Sequence, residues 1–157
     1  MKLQKASSGA LYALVELARH PEQQISAAEI ADRYGISANH LAKVLRDLTR
    51  AGLVESVRGA GGGYRFSGNA KRVTLYEVIS LFEDIAEGPH RADSSEDTDV
   101  GRALGRVMNE INEIAAATLT SITLATLLKI MDRDIAARPD GASLAAALKG
   151  ANLTART

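Results

Sequence analysis

The chain has 157 residues, which suit one domain with an oligomerisation arm, and it contains no cysteine. The lack of cysteine excludes disulfides, thiolate catalysis, and zinc ions or iron–sulfur clusters held by thiolates. The net charge is zero, but the charges are unevenly distributed. Residues 33–72, which we call the basic block, carry eight basic and two acidic side chains, whereas residues 73–100 carry one basic and eight acidic ones. The basic block therefore has the charge that binding to a phosphate surface requires.

The chain is predicted to begin with an amphipathic helix over residues 6–19, which Pro21 ends. A second helix is expected after Ser26, because Glu29 stands three residues later and the pair has the pattern of a capping box. Gly35 should end this helix, since glycine adopts the backbone angles that a tight turn needs. A helix followed by a tight turn and another helix indicates a helix-turn-helix.

The third predicted helix begins after Ser37, whose side chain can cap it, and it has two different faces. One face is apolar and suits a protein core: Leu41, Val44, Leu45 and Leu48. The other face is polar and basic, with spacings of four, three and four residues: Asn39, Lys43, Arg46 and Arg50. Such a face can reach base edges and phosphates in the major groove of B-DNA. The alternative for Arg46 and Arg50 is that they form ion pairs with Asp47 and neighbouring acidic residues instead of contacting phosphates.

A hairpin is predicted next, with strands over residues 53–58 and 64–66 around a glycine-rich tip at 59–63. A tip with almost no side chains can approach the sugar-phosphate backbone, and Arg58 at its base can enter the minor groove. The tract lacks the ending of a nucleotide-binding loop and does not open a helix, so nucleotide binding is not favoured. The basic helix and the hairpin together predict a winged helix-turn-helix.

Thr74 and Glu77 repeat the capping-box pattern and predict a fourth helix, which the pair Gly88-Pro89 should end. Residues 90–99 are polar and charged without an apolar period, which predicts a flexible acidic loop. The histidine and acidic residues of this loop match no strong metal-binding spacing, so a solvated loop is favoured over a metal site.

A long helix is predicted after the acidic loop. Its apolar residues recur at spacings of four, three, four and three, which is a heptad pattern: Val100, Leu104, Val107, Ile111 and Ile114. We expect this stripe to be buried against a second copy of the chain, with packing inside one chain as the alternative. Thr123 should cap a further short helix that ends near residue 131.

These elements predict a mainly α fold in which a winged helix-turn-helix with a two-stranded wing is joined to a long dimerisation helix. The DNA-binding domain is assigned to residues 1–87, the flexible acidic loop to 88–99, the dimerisation helices to 100–131 and a C-terminal tail to 132–157. The sequence shows neither a signal peptide nor an apolar run long enough to span a bilayer, so we expect a cytoplasmic protein with no membrane partner.

The segment ISAAEIADRYGISANHLAKVLRDLTRAGLVESVRGAGGGYRF, residues 25–66, resembles the Rrf family of winged-helix transcriptional regulators, of the IscR, NsrR and CymR type. The wing motif SVRGAGGGY is the most specific part, and the resemblance continues through VTLYEVISLFE and SITLATLL. It implies a homodimer on a palindromic operator in double-stranded DNA, with recognition helices in successive major grooves and wings in minor grooves.

The resemblance and the basic helix face together give ten candidate DNA contacts. They are Ser37, Asn39, His40, Lys43, Arg46, Arg50, Arg58, Gly61, Gly62 and Tyr64. Cluster-binding members of the family place three cysteines in the loop that corresponds to residues 88–101, and this loop has none. We therefore expect no iron–sulfur cluster, no other cofactor and no metal site.

The expected function is sequence-specific transcription regulation by a homodimeric repressor without enzymatic activity, which responds to an unidentified small-molecule or protein effector. One alternative is a protein-interaction module that uses the winged helix as a scaffold. Another alternative is a regulator that senses a metal or a small molecule at residues 88–100. Binding to an operator whose affinity depends on basic residues would separate the regulator from the interaction module.

Overall fold

The computed structural model describes residues 2–85 and 98–137. The described residues form eight regular elements: α1 (Lys5–Arg19), α2 (Ala27–Tyr34), α3 (Ala38–Arg50), β1 (Val54–Val57), β2 (Gly63–Phe66), α4 (Leu75–Ile79), α5 (Asp99–Ser121) and α6 (Leu124–Ala136). Helices with one two-stranded antiparallel sheet confirm the predicted mainly α winged-helix fold. We call α1 to α4 and the sheet the head.

The local signals that predicted the helix-turn-helix are present. The Ser26 hydroxyl accepts a hydrogen bond from the N–H of Glu29 at 3.2 Å, and the Glu29 carboxylate accepts one from the N–H of Ser26 at 2.8 Å, so the capping box is complete. Hydrogen bonds from the side chain and the backbone of Ser26 lower the pKa of the Glu29 carboxyl. Gly35 ends α2 with a φ of 62°, and Ser37 caps α3.

Helix α1 lies at the centre of the head, where it contacts α2, α3, α4, β2 and also α6. Several side chains of α1 and α3 have no exposed surface: Ala10, Ala13, Leu14, Leu17, Leu41, Leu45 and Leu48. Burial of one leucine side chain contributes roughly 1.5–3 kcal/mol. The shared core therefore fixes the orientation of α3 relative to α1, with the polar face of α3 directed outwards.

One charged side chain lies inside this core. Glu16 of α1 is 6% exposed, and its carboxylate accepts hydrogen bonds from the guanidinium of Arg33 and, at 2.8 Å, from the hydroxyl of Tyr34. The Tyr34 ring also stacks on Tyr12, with 4.9 Å between ring centroids. Because both donors belong to the last turn of α2, these contacts fasten the end of α2 to α1.

The wing is attached to the connection between α1 and α2. Strands β1 and β2 are antiparallel, with Val54 opposite Phe66. Tyr64 also exchanges two backbone hydrogen bonds with Ile25, of 3.0 and 2.8 Å. A Cβ atom on Gly63 would lie 2.7 Å from the carbonyl oxygen of Ile25, so this close approach requires glycine.

Replacing Gly63 with alanine is expected to lower the free energy of unfolding by about 1–3 kcal/mol, because the methyl group meets backbone that cannot rotate away. The measurement is a urea titration followed by circular dichroism. Gly9→Ala is the control, since a Cβ there meets only side-chain carbons of Ile36 and Leu41, at 3.9 and 4.0 Å. Equal midpoints for the two variants would contradict the assigned contact with Ile25.

The junction between α5 and α6 is tied to the head by backbone hydrogen bonds. The N–H of Leu75 donates to the carbonyl of Ile122 at 2.9 Å, and the N–H of Leu124 donates to the carbonyl of Val73 at 2.8 Å. The Leu124 side chain is fully buried in the core. Thr123 caps α6 as predicted, through its hydroxyl. The start of α6 is therefore packed into the core of the head.

Two predicted helix ends were wrong. Helix α4 was expected to continue to Gly88-Pro89, but it ends at Ile79, because the next residues form tight turns and Leu81 lies 43% exposed instead of packing on the core. Helix α6 was expected to end near residue 131, but it continues to Ala136, so the first residues assigned to the tail are helical.

Most of the predicted flexible acidic loop falls on residues that the structure does not describe. Residues 88–97 of that loop, with Gly88-Pro89, and 138–157 of the predicted tail lie outside the described residues. Thr98 and Asp99, the last two residues of the predicted loop, instead start α5, with the Thr98 hydroxyl as its cap.

Candidate nucleic-acid interface

The burial of α3 follows the two faces that the sequence predicts. Its apolar residues are at most 2% exposed: Leu41, Val44, Leu45 and Leu48. The polar residues of the opposite face are all exposed: Asn39, Lys43, Arg46 and Arg50. The core thus holds α3 from one side and leaves a polar, cationic helix face of the width that a major groove admits.

The cations of this face differ in their partners. Lys43 and Arg46 form no ion pair with any described residue, so their charges are available to an anion. Arg50 pairs with Asp47 at 3.4 Å, but the Arg50 side chain is 73% exposed. Exposed pairs of this kind are worth about 0–1 kcal/mol, so a phosphate can replace the Asp47 carboxylate.

Two further arginines of the basic block are used inside the head. The Arg33 guanidinium donates to the buried carboxylate of Glu16. The Nε atom of Arg65 donates to Glu55 at 2.7 Å and joins β1 to β2. Some cations of the basic block therefore form ion pairs within the head, and others face solvent. Counting charges in the sequence does not distinguish these two groups.

The wing supplies one further exposed cation. Arg58 follows β1 at the base of the tip, is exposed, and pairs with no carboxylate of the described residues. Gly61 has a φ of 77°, and a Cβ on Gly62 would lie 2.6 Å from the carbonyl oxygen of Val57. Gly61 and Gly62 thus give the tip its shape, and Tyr64 anchors the wing through its backbone hydrogen bonds to Ile25.

Ser37 and His40 lie apart from the exposed face of α3. The Ser37 hydroxyl accepts the N–H of His40 at 3.5 Å, as the cap of the helix. The Nε2 atom of His40 is shielded from solvent and has no hydrogen-bond partner among the described residues, while other atoms of His40 line a cleft beside α1. The structure therefore groups Asn39, Lys43 and Arg46 on one surface and sets these two residues beside it.

The heptad stripe of α5 is uncovered in the single chain. Its five side chains are 52–76% exposed: Val100, Leu104, Val107, Ile111 and Ile114. Packing against other described parts of the same chain, which was the alternative, is therefore not observed. The stripe extends for about 21 Å along the helix at 1.5 Å per residue. Contiguous apolar surface of this length is typical of a protein–protein interface.

Sequence reasoning did not identify the Glu16 network or the bridge between Ile25 and Tyr64. A signal for the first was present, because Glu16 interrupts an otherwise apolar run from Ala13 to Leu17. A charged residue inside an apolar run is typical of a buried and paired group. The bridge had no comparable signal, since it joins backbone atoms of segments that are distant in the sequence.

Metal binding has no support from the described residues: within 2–85 and 98–137, no three histidine or acidic side chains stand close enough to hold an ion. No helix in these ranges is both long and apolar enough to cross a membrane. The proposed metal or small-molecule sensing at residues 88–100 falls almost wholly outside the described residues.

Comparison with known proteins gives consistent matches over most of the chain. Residues 3–130 match the Rrf2 family model, described as an iron-dependent transcriptional regulator. The HTH-type transcriptional regulator named BadM of Rhodopseudomonas palustris is 53% identical over 146 residues, covering 91% of this chain and 93% of BadM. The regulator IscR of Xenorhabdus nematophila is 33% identical, covering 89% of this chain and 87% of IscR.

A solved structure shares the same architecture. CymR, the global cysteine regulator of Bacillus subtilis, superposes with a TM-score of 0.69 at 28% identity, covering 83% of this chain and 98% of CymR. A coverage of 83% of 157 residues is about 130 residues, so the match reaches well beyond the 42 residues of the segment 25–66. The similarity therefore concerns most of the fold and not the helix-turn-helix alone.

Proposed function

The chain belongs to the Rrf2 family of transcriptional regulators, and we propose on that premise that it represses transcription as a homodimer bound to a palindromic operator. DNA-binding transcription regulation is the function of the family and of this chain. The observation that carries the proposal is the exposed face of α3, where Lys43 and Arg46 lack carboxylate partners among the described residues.

The proposed contacts follow the geometry of the head. Asn39 and Lys43, near the start of α3, are assigned to base edges or nearby phosphates of the major groove, and Arg46 and Arg50 to phosphates. Arg58 is assigned to the minor groove beside the wing, because a narrow groove concentrates negative potential and attracts arginine. The buried face of α3 supports this assignment, since a helix held by a leucine core presents its polar side chains in fixed positions.

The proposed dimer is supported by the exposed stripe of α5. An interface between two identical chains is self-complementary and usually two-fold symmetric, which matches a palindromic operator. With two heads in successive major grooves, the half-sites would lie about 34–36 Å apart. An operator that overlaps a promoter excludes RNA polymerase when it is occupied, so repression follows from binding alone.

The first test uses a palindrome selected from a random DNA pool. Lys43→Ala and Arg58→Ala are each expected to flatten the dependence of log affinity on log salt concentration by about one unit, because each removes one positive charge that neutralises the DNA backbone. Fluorescence anisotropy at several salt concentrations measures this slope. Lys129→Ala, which changes an exposed lysine of α6, is the matched control and should leave the slope unchanged. If the slope is unchanged for all three variants, the proposed DNA-binding interface is wrong.

The family description names iron, but the residues of this chain do not fit an iron–sulfur cluster. Cysteine thiolates hold such clusters, and the whole sequence has no cysteine. We therefore propose that this regulator responds to a different signal. We also propose that it has no catalytic activity and works in the cytoplasm, where bacterial DNA is found, as its regulator relatives support.

Protein purified under anaerobic conditions is expected to be colourless. Iron–sulfur clusters absorb visible light through charge transfer from sulfur to iron, and this chain offers no thiolate to hold one. An absorption spectrum combined with an iron assay of the same sample makes the measurement. A visible band together with stoichiometric iron would contradict the proposal and would require ligands other than cysteine.

A further inference from the structure

The exposed polar residues of α3 form a narrow stripe along the helix. At about 100° per residue, four of these side chains lie within an arc of about 60° around the helix axis: Asn39, Lys43, Arg46 and Arg50. The buried apolar residues of α3 are centred on the opposite side of the helix, where they enter the core of the head. These four residues, which we call the polar stripe, are therefore the part of α3 that reaches deepest into a groove.

The side chains of the polar stripe become longer along the helix. Asn39, in the first turn of α3, has a short side chain, Lys43 follows one turn later, and the two arginines come last. A short amide reaches a base edge only where the helix lies close to the floor of the groove, whereas a lysine can span a larger gap. This order fits a helix that enters the major groove with its N-terminal end foremost, so that its first turns meet base edges and its last turn meets phosphates.

The two side chains nearest the start of the stripe are free to recognise bases. No described residue forms a hydrogen bond with the amide of Asn39 or an ion pair with the ammonium of Lys43. The amide presents a donor and an acceptor side by side, which match the N7 acceptor and the N6 amine of adenine. The ammonium presents donors only, which match the O6 and N7 acceptors of guanine. Their chemistry therefore distinguishes two different bases.

The spacing of these two residues limits the distance between the bases that they can reach. Asn39 and Lys43 are four residues apart, so they are separated by about 6 Å along the helix axis at 1.5 Å per residue. Successive nucleotides of B-DNA are spaced about 3.4 Å apart along the duplex. A helix lying in the groove therefore brings the two side chains to base pairs within about two steps of each other.

We propose that Asn39 selects an adenine and Lys43 selects a guanine in each operator half-site, within about two base-pair steps of each other. The amide of Asn39 accepts a hydrogen bond from the N6 amine of adenine and donates one to N7, and the Lys43 ammonium donates to O6 and N7 of guanine. Arg46 and Arg50 contact phosphates and select no base. This base preference rests on the proposed function, because it concerns the bases that the same surface recognises.

The first experiment selects bound duplexes from a random DNA pool with the original full chain, and repeats the selection with Asn39→Ala and with Lys43→Ala. Asn39→Ala is expected to lose its preference at a single A·T pair of the half-site, and Lys43→Ala at a single G·C pair. Each loss is expected to be at least about tenfold, which corresponds to about 1.4 kcal/mol. Every other position should keep the preference that the original chain shows.

Two further variants separate base contacts from phosphate contacts. Arg46→Ala, in the same stripe, should weaken binding to all sequences equally, because a phosphate carries no sequence information. Asn109→Ala removes an exposed amide from α5 and should change neither affinity nor preference. The proposed readout is overturned if Asn39→Ala or Lys43→Ala keeps the original preference, loses it at the wrong type of pair or at every position, or loses no more than Arg46→Ala. Affected pairs more than about three steps apart would also overturn it.

A second experiment changes the DNA instead of the protein. In the selected operator, 7-deazaadenine replaces the adenine assigned to Asn39, which removes the N7 acceptor and keeps the base pair. The original chain should bind this duplex about three- to tenfold more weakly, as measured by anisotropy. Asn39→Ala should bind both duplexes equally, because it already lacks that hydrogen bond.

The outcomes distinguish the base readout from the proposed function. Equal weakening of the original chain and of Asn39→Ala by 7-deazaadenine would overturn the contact between Asn39 and adenine and leave operator binding standing. A chain that prefers no DNA sequence over another would instead contradict the proposed function, and the base readout with it.

Discussion

Replacing Ile111 with aspartate is expected to convert the proposed dimer into monomers and to weaken operator binding at least about 100-fold, which corresponds to about 2.7 kcal/mol. Ile111 lies in the middle of the heptad stripe and is 52% exposed in the single chain, so the substitution should not disturb folding. In a two-fold interface each substitution occurs twice, and two carboxylates would face an apolar contact without cationic partners. Each monomer would then bind one half-site alone.

Multi-angle light scattering measures the mass of the variant, and anisotropy measures its operator affinity. Asn109→Asp is the matched control: it adds the same charge to α5 but, two residues away at 100° per residue, lies on the opposite face of the helix. The control should remain a dimer with the original affinity. If Ile111→Asp also remains a dimer at micromolar concentration, the interface lies elsewhere on the chain.

Replacing Arg33 with alanine is expected to reduce the free energy of unfolding by about 2–4 kcal/mol. The Glu16 side chain is 7% exposed and would keep a single donor, the hydroxyl of Tyr34. A buried carboxylate that loses its cation retains its desolvation cost without the attraction that offset it. The expected loss is below the upper end for fully buried pairs, because the Arg33 side chain is 57% exposed.

Urea unfolding followed by circular dichroism measures this loss. Arg19→Ala is the control, because Arg19 also pairs with an aspartate, Asp132 at 3.5 Å, but both side chains are exposed and the expected cost is about 0–1 kcal/mol. Combining Arg33→Ala with Tyr34→Phe should give a non-additive loss, since both donors serve the same carboxylate. Equal losses for Arg33→Ala and Arg19→Ala would show that burial of Glu16 does not matter to stability.

The predictions that succeeded rest on interactions within a few residues. The capping box of Ser26 with Glu29 and the turn at Gly35 are fixed by local backbone geometry, and the two faces of α3 follow from helical periodicity. These patterns could therefore be read directly from the sequence. The combined motif of basic helix and glycine-rich wing also identified the family correctly.

The features that could not be predicted depend on how distant segments meet. The apolar pattern after Thr74 fits a longer helix equally well, and the structure shows that tight turns replace helix beyond Ile79. The contact of Glu16 with Arg33 spans 17 residues and exists only after α2 docks on α1. The shielded position of His40 likewise arises from the packing of α3 beside α1, which periodicity alone does not specify.

The hydrogen-bonded junction at Ile122 and Leu124 makes α5 a lever whose fulcrum lies on the head. The helix has 23 residues, and at 1.5 Å per residue its length is about 34 Å. A rotation of about 5° at the fulcrum would thus move the far end by roughly 3 Å, for a helix that stays straight over this length. In the proposed dimer, where the levers of two chains lie against each other, a small tilt of either head would be amplified into a change in the separation of the two recognition helices.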